Sequence, residues 1–112
     1  MTDQTKNDFS ERLRAYFKME TQCADLYHKL VALYPEAKDL FETLAEWEER
    51  HADIISISIG YNKIGGIPEI IVPQELSIIN MTIDMTQDIH TRIRTERISL
   101  HNVLNLTMKI YV

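Results

Sequence analysis

The sequence predicts an all-α protein built around an antiparallel helical hairpin, and three observations predict it. Gly and Pro number only three each in 112 residues, which suits long uninterrupted helices. Apolar residues recur at alternating steps of four and three along two long stretches, the mark of an amphipathic helix. A single proline, Pro35, divides those stretches, and so short a connection joins antiparallel neighbours. The length suits one domain, residues 1–112, with one core. Its expected parts are a hairpin over 8–60, a crossover loop over 61–73 and C-terminal helices over 74–112.

The first helix is expected to start at Asp8, because Asp8 and Glu11 have the spacing of a capping box. The residues before it are polar and expected to fray. Its stripe is Phe9, Leu13, Tyr16, Glu20, Cys23, Tyr27, Leu30 and Tyr34, apolar or aromatic throughout except at Glu20. Pro35 ends this helix or opens the next. The second helix is expected over 36–59, with Gly60 as its stop. Its stripe is Ala37, Phe41, Leu44, Glu48, His51, Ile55 and Ser58, flanked by Leu40, Trp47 and Ile54.

The stretch 61–73 carries Gly65-Gly66 and two prolines, which read as a crossover loop; a short strand at Ile70–Val72 would need a partner. A third helix is expected over 74–94 on Leu76, Ile79, Ile83, Thr86, His90 and Ile93. A second apolar face, Ile78, Met81, Met85 and Ile89, predicts that it is buried or sits in a subunit interface. A bend is expected around 95–99, with Ser99 capping a final helix through Leu100, Val103, Leu104, Thr107 and Tyr111.

Three polar residues interrupt the two hairpin stripes. Glu48 and His51 stand three apart on one helix face, a spacing that lets a carboxylate and an imidazole hold the same metal ion. With Pro35 as pivot, Glu20 lies fifteen residues before it, and Glu48 and His51 lie thirteen and sixteen after it. At about 1.5 Å per residue, all three come within roughly one turn of the same level.

Composition excludes several other classes. With 12 Lys and Arg against 17 Asp and Glu, and no basic stripe, nucleic acid is not an expected partner. A single cysteine cannot form an intrachain disulfide or a Cys-based zinc finger. No apolar run resembles a signal peptide or approaches membrane-spanning length, so a soluble cytoplasmic protein is expected, without a membrane partner.

The stretch Met-Glu-Thr-Gln-Cys-Ala-Asp-Leu-Tyr, which sets Tyr27 seven residues after Glu20, resembles the first helix of rubrerythrin-like members of the ferritin-like superfamily. Tyr34 to Ile55 resembles the turn and second helix of the same group. The resemblance covers about the first 60 residues. It implies a ferritin-like hairpin, half of a four-helix bundle that holds two irons. By position, it makes Glu20 the carboxylate ligand of the first helix, Glu48 the bridge between the irons, His51 a ligand to one iron, and Tyr27 a residue just outside the ligands. Manganese or zinc can substitute in such carboxylate and imidazole sets.

The remainder departs from that family's pattern. A complete bundle needs a Glu from a third helix and a second Glu-x-x-His from a fourth. His90 and His101 are preceded at the required spacing by Gln87 and Ile98, so neither supplies it. The final stretch resembles the start of the family's third bundle helix, but the place where its Glu would fall holds Tyr111 or lies beyond Val112. Two copies of the hairpin about a two-fold axis would supply four carboxylates and two histidines, an arrangement similar to that of encapsulated ferritins. The expectation is therefore a homodimer or higher homo-oligomer with iron at its interface. Its reaction would be ferroxidation or peroxide reduction, with an unknown electron donor and an apolar wall of Phe17, Leu44 and Ile55.

The plain readings stand beside this one. Glu20 at a stripe edge can snorkel to solvent, and Glu48 and His51 can form a surface pair among Glu46, Glu49 and Arg50. Cys23 reads most simply as a small buried apolar residue. His90 and His101 read as ordinary helix residues, Asp84 and Asp88 as solvated carboxylates, and Met81, Met85 and Met108 as packing. The alternative function is a metal-free, residual ferritin-like bundle that serves as an assembly module.

Overall fold

The computed structural model describes residues 3–62 and 75–111, and all regular structure among them is helical. The elements are α1 (Asp3–Leu33), a 3-10 turn (Pro35–Ala37), α2 (Lys38–Asn62), α3 (Leu76–Thr95) and α4 (Leu100–Met108), which runs into a 3-10 turn (Lys109–Tyr111). No helix among the described residues is long and apolar enough to cross a membrane.

Helix α1 begins at Asp3 rather than Asp8. Residues 3–7 contain no breaker, so the Asp8–Glu11 pair lies inside a helix that has already started. Helix α2 begins at Lys38, two residues later than expected, because Pro35 opens a separate 3-10 turn, with Tyr34 as its N-cap. At its other end α2 runs through Gly60 to Asn62. A Cβ added at Gly60 would meet nothing within 4 Å, so this glycine is neither a stop nor a close approach, only a weak helix former. Tyr61 and Asn62 continue α2, and the rest of the expected crossover loop, with the strand considered at Ile70–Val72, lies outside the described residues.

Helix α1 is the centre of the molecule. Tyr27 stacks on Phe41 and Glu20 approaches His51, so positions ascend on α1 while they descend on α2: the pair is antiparallel. Cys23 meets Thr86, Lys29 meets His90 and Tyr34 meets Ile98, so α3 runs parallel to α1 on another side. Helix α4 starts beside Leu33 and Tyr34 and brings Ile110 to the level of Glu20, running back antiparallel to α1. The core between these helices contains Leu13, Leu26, Tyr27, Leu30, Phe41, Ile79 and Val103, each fully buried.

Local chemistry explains the end at which α3 turns into α4. The Ser99 hydroxyl accepts a hydrogen bond from Asn102 N at 3.2 Å, the N-cap expected from sequence. The Tyr34 hydroxyl donates to Ile98 O at 2.5 Å and so ties the hairpin turn to the α3–α4 bend. Burial raises the Tyr34 phenol above its usual value, with Glu36 adding to the shift, which keeps it in the donating form. On α3, Ile79, Ile83, Thr86 and Ile89 are buried, whereas Ile78 and Met81 of its second apolar face are exposed.

Candidate metal centre

Among the described residues, Glu20 and Glu48 are the buried acidic side chains. Glu20 is 4% exposed and Glu48 is 5% exposed, because both sit on stripes that α1 and α2 turn toward each other. Snorkelling of Glu20 and a solvated Glu48 are thereby ruled out. His51 is different: its side chain is 55% exposed, at the rim rather than inside. One turn separates it from Glu48, and the same face rotation that buries Glu48 leaves His51 at the edge of the hairpin.

The three residues meet. One donor atom from each lies within 4.8 Å of the others. His51 Nδ1 is 3.4 Å from Glu20 Oε2 and 4.0 Å from Glu48 Oε2. The first contact lacks hydrogen-bond geometry, so Glu20 Oε2 is a buried carboxylate oxygen with no hydrogen-bond partner. Among the described residues, no other three His, Cys, Asp or Glu side chains converge in this way.

The trio opens on a cavity of about 210 Å³ lined also by Tyr16, Met19, Cys23, Thr82 and Ile110. Tyr16 and Cys23 belong to the α1 stripe, one turn before and after Glu20, so their place beside it was legible from spacing. Thr82 and Ile110 come from α3 and the turn after α4, and no local pattern in the sequence pointed to them. Burial raises the Tyr16 phenol above its ordinary value, with the charge of Glu48 and then Cys23 adding to it, so Tyr16 stays protonated beside the carboxylates. An apolar recess of about 270 Å³, lined by Tyr16, His51, Ile54 and Ile55, adjoins the cavity on the His51 side.

Of the expected apolar wall, Ile55 is buried and Leu44 partly buried, whereas Phe17 is 36% exposed. Tyr27 is fully buried one turn beyond Cys23, with its ring 6.4 Å from that of Phe41, and it does not line the cavity. His90 is engaged elsewhere: Lys29 Nζ donates to its Nδ1 at 3.3 Å, and its Nε2 lies 3.4 Å from Gln22 O. His101 is exposed beside Asn105. Asp84 and Asp88 are exposed, as solvated carboxylates should be. A groove of about 700 Å³ at the Tyr34–Ile98 end has no convergent donor set among the described residues, so the smaller cavity is the better candidate site.

The donor set is hard carboxylate oxygen plus borderline imidazole nitrogen, which suits iron, manganese or zinc. Two carboxylates this close and this buried repel each other unless a proton or a cation lies between them. The buried Glu20 oxygen, which has no hydrogen-bond partner, fits a cation for the same reason. Compared with protein-family models, with characterised proteins and with solved structures, the chain matches none.

Proposed function

We propose that this chain is a ferritin-like metal protein that binds iron through Glu20, Glu48 and His51 and, as a homodimer, handles two irons for ferroxidation or peroxide reduction. The single observation that carries the reading is the buried Glu20–Glu48 pair with an orphaned carboxylate oxygen, facing His51 at the cavity rim. Removing two carboxylates from water costs several kcal/mol in order of magnitude, and a divalent cation is the most direct compensation. The run of the helices agrees with a ferritin-like bundle: an antiparallel α1–α2 pair, then α4 returning antiparallel to α1 and ending at the level of the site.

One chain supplies three donors, too few for two irons. A second copy would double the set to four carboxylates and two imidazoles. The outer face of α2 supports such a pairing. Leu40, Trp47 and Ile54 are each about half exposed and spaced by seven residues, with Leu44 and His51 between them at heptad spacing. His51 thus belongs both to the cavity rim and to the apolar seam that a second copy would cover.

A bound pair of ferrous ions would supply the two electrons that convert peroxide, with two protons, into two waters. The chain's own residues would do the rest. Glu20 and Glu48 fix the site on two rigid helices, which holds donor positions better than a loop would. His51 offers an imidazole nitrogen at the entrance. Tyr16 keeps a phenolic proton within the cavity, and Met19 and Ile110 limit water there.

The test is elemental analysis after aerobic iron loading, with light scattering on the same sample. Expected are stoichiometric iron, its loss in Glu48→Ala and in His51→Ala, and an iron-dependent dimer. A protein that stays iron-free after loading overturns the metal reading; a monomer that holds iron overturns the dimer alone. The second reading, a metal-free bundle used for assembly, is favoured by the Leu40–Trp47–Ile54 seam. It predicts a dimer that forms equally well without metal and survives Glu48→Ala.

A further inference from the structure

We infer that Cys23 is a fourth donor of the Glu20, Glu48 and His51 site, so that a single chain can hold one thiophilic divalent cation of the zinc or cobalt class. The inference rests on the metal reading above and adds a ligand to it. Cys23 follows Glu20 by three residues, as His51 follows Glu48 by three. Each pair lies on one face of its helix, the two helices face each other, and all four side chains line the same cavity of about 210 Å³. A buried cysteine by itself is usually packing. Here it shares its cavity with Glu20, a carboxylate more than nine-tenths buried whose Oε2 has no hydrogen-bond partner.

The contacts of the thiol leave its sulfur available. Cys23 Sγ lies 3.7 Å from Thr86 Oγ1. The Thr86 hydroxyl already donates its proton to Thr82 O at 2.9 Å, so in the Thr86 contact the S–H is the donor. The sulfur lone pairs take no part in that contact. Cys23 stands outside the tight trio of donors, so metal binding requires its side chain to turn from Thr86 toward the cavity it already lines. On binding, the thiol proton is released to solvent and the thiolate becomes a ligand: Cys–SH and the divalent cation give the metal thiolate and one proton.

Two carboxylate oxygens, one imidazole nitrogen and one thiolate make a four-donor set of the kind a tetrahedral zinc ion accepts. The soft sulfur ranks metals differently from an all-oxygen and nitrogen set, favouring zinc and cobalt over manganese. One chain could then hold one ion before any second copy docks on the α2 seam.

Cobalt(II) titration of the full-length metal-free protein tests this, because a thiolate ligand adds a near-ultraviolet charge-transfer band to the visible bands of bound cobalt. Both bands should saturate together in the native protein, with proton release, and zinc should abolish both by displacement. Cys23→Ser and Cys23→Ala should each lose the near-ultraviolet band and keep the visible ones. Visible bands that saturate in the native protein without the near-ultraviolet band overturn the role of Cys23 and leave the three-donor site intact. A near-ultraviolet band that persists when Glu20, Glu48 and His51 are all replaced by Ala also overturns it, since the thiolate would then bind cobalt elsewhere. Absence of any cobalt band overturns this inference together with the metal reading beneath it.

Discussion

The two halves of the α1–α2 hairpin are built on the same stripes and end up physically different. Near the turn, both stripes are apolar. Tyr27, Leu30 and Phe41 are fully buried, Tyr27 and Phe41 lie nearly parallel with ring centroids 6.4 Å apart, and Tyr34 tilts onto Phe41 at the same centroid distance. Farther from the turn, Glu20, Glu48 and His51 replace apolar residues, and a cavity of about 210 Å³ remains where side chains would otherwise interlock. The same helix pair therefore provides a stability region and, on the reading above, a binding region. Apolar facing residues bring helices together, whereas facing carboxylates gain little from contact and keep space between them.

The largest expected effect lies in the closed half. Phe41→Ala removes a fully buried ring that contacts both Tyr27 and Tyr34 and should destabilise the protein by about 3–5 kcal/mol, read by urea denaturation. A loss near zero would mean that the turn-proximal half does not carry stability, and the contrast between the halves would break.

The open half should respond in the opposite sense. Glu20→Gln keeps the shape and removes a buried charge, so the metal-free protein should be unchanged or stabilised by about 1–3 kcal/mol while metal binding is lost. Calorimetry of the metal-free variant beside elemental analysis reads both quantities. Marked destabilisation of the metal-free form would make Glu20 a structural residue and remove the distinction drawn here.

Smaller effects sharpen the boundary of the closed half. Tyr34→Phe deletes the hydrogen bond to Ile98 O and should cost about 1 kcal/mol in thermal unfolding without changing metal uptake. Ser99→Ala should cost a similar amount, about 1 kcal/mol, through loss of the α4 cap.

The smallest effect is a pH dependence at His90. Burial is the main cause that holds its imidazole below the ordinary 6.5, with Lys29 and Arg94 adding to the shift and Gln22 O and Asp25 opposing it. A depressed value means that the folded state prefers the neutral ring. The stability this contributes is complete above the unfolded value near 6.5 and is lost as pH falls through the lower folded value. Replacing His90 with Asn should flatten that acid-side decline in a series of urea melts; an unchanged slope would show that other groups set it.

Much of this organisation was legible in residue spacing. The alternation of four and three placed Glu20, Glu48 and His51 on facing stripes, and counting from Pro35 put them at one height, because helical rise is nearly constant. Ser99 could be read as a cap because its chemistry acts within one turn. Element ends were less legible. Asp8 and Gly60 carry valid boundary signals, yet α1 starts before the first and α2 passes through the second, since cap and stop preferences are about 1 kcal/mol and are outweighed by continued helix formation.

By itself, the sequence determined the helical class, the hairpin and the polar interruption of its stripes, because each depends on local periodicity and on the stiffness of a regular helix. Only the tertiary structure decided how deeply each donor sits: both carboxylates buried, His51 at the rim, one Glu20 oxygen left without a hydrogen-bond partner. It also brought Thr82 and Ile110 to the same cavity as Cys23. Burial and convergence depend on how the other three helices pack around α1, and that packing sums contacts between residues far apart in the chain, which no local spacing records.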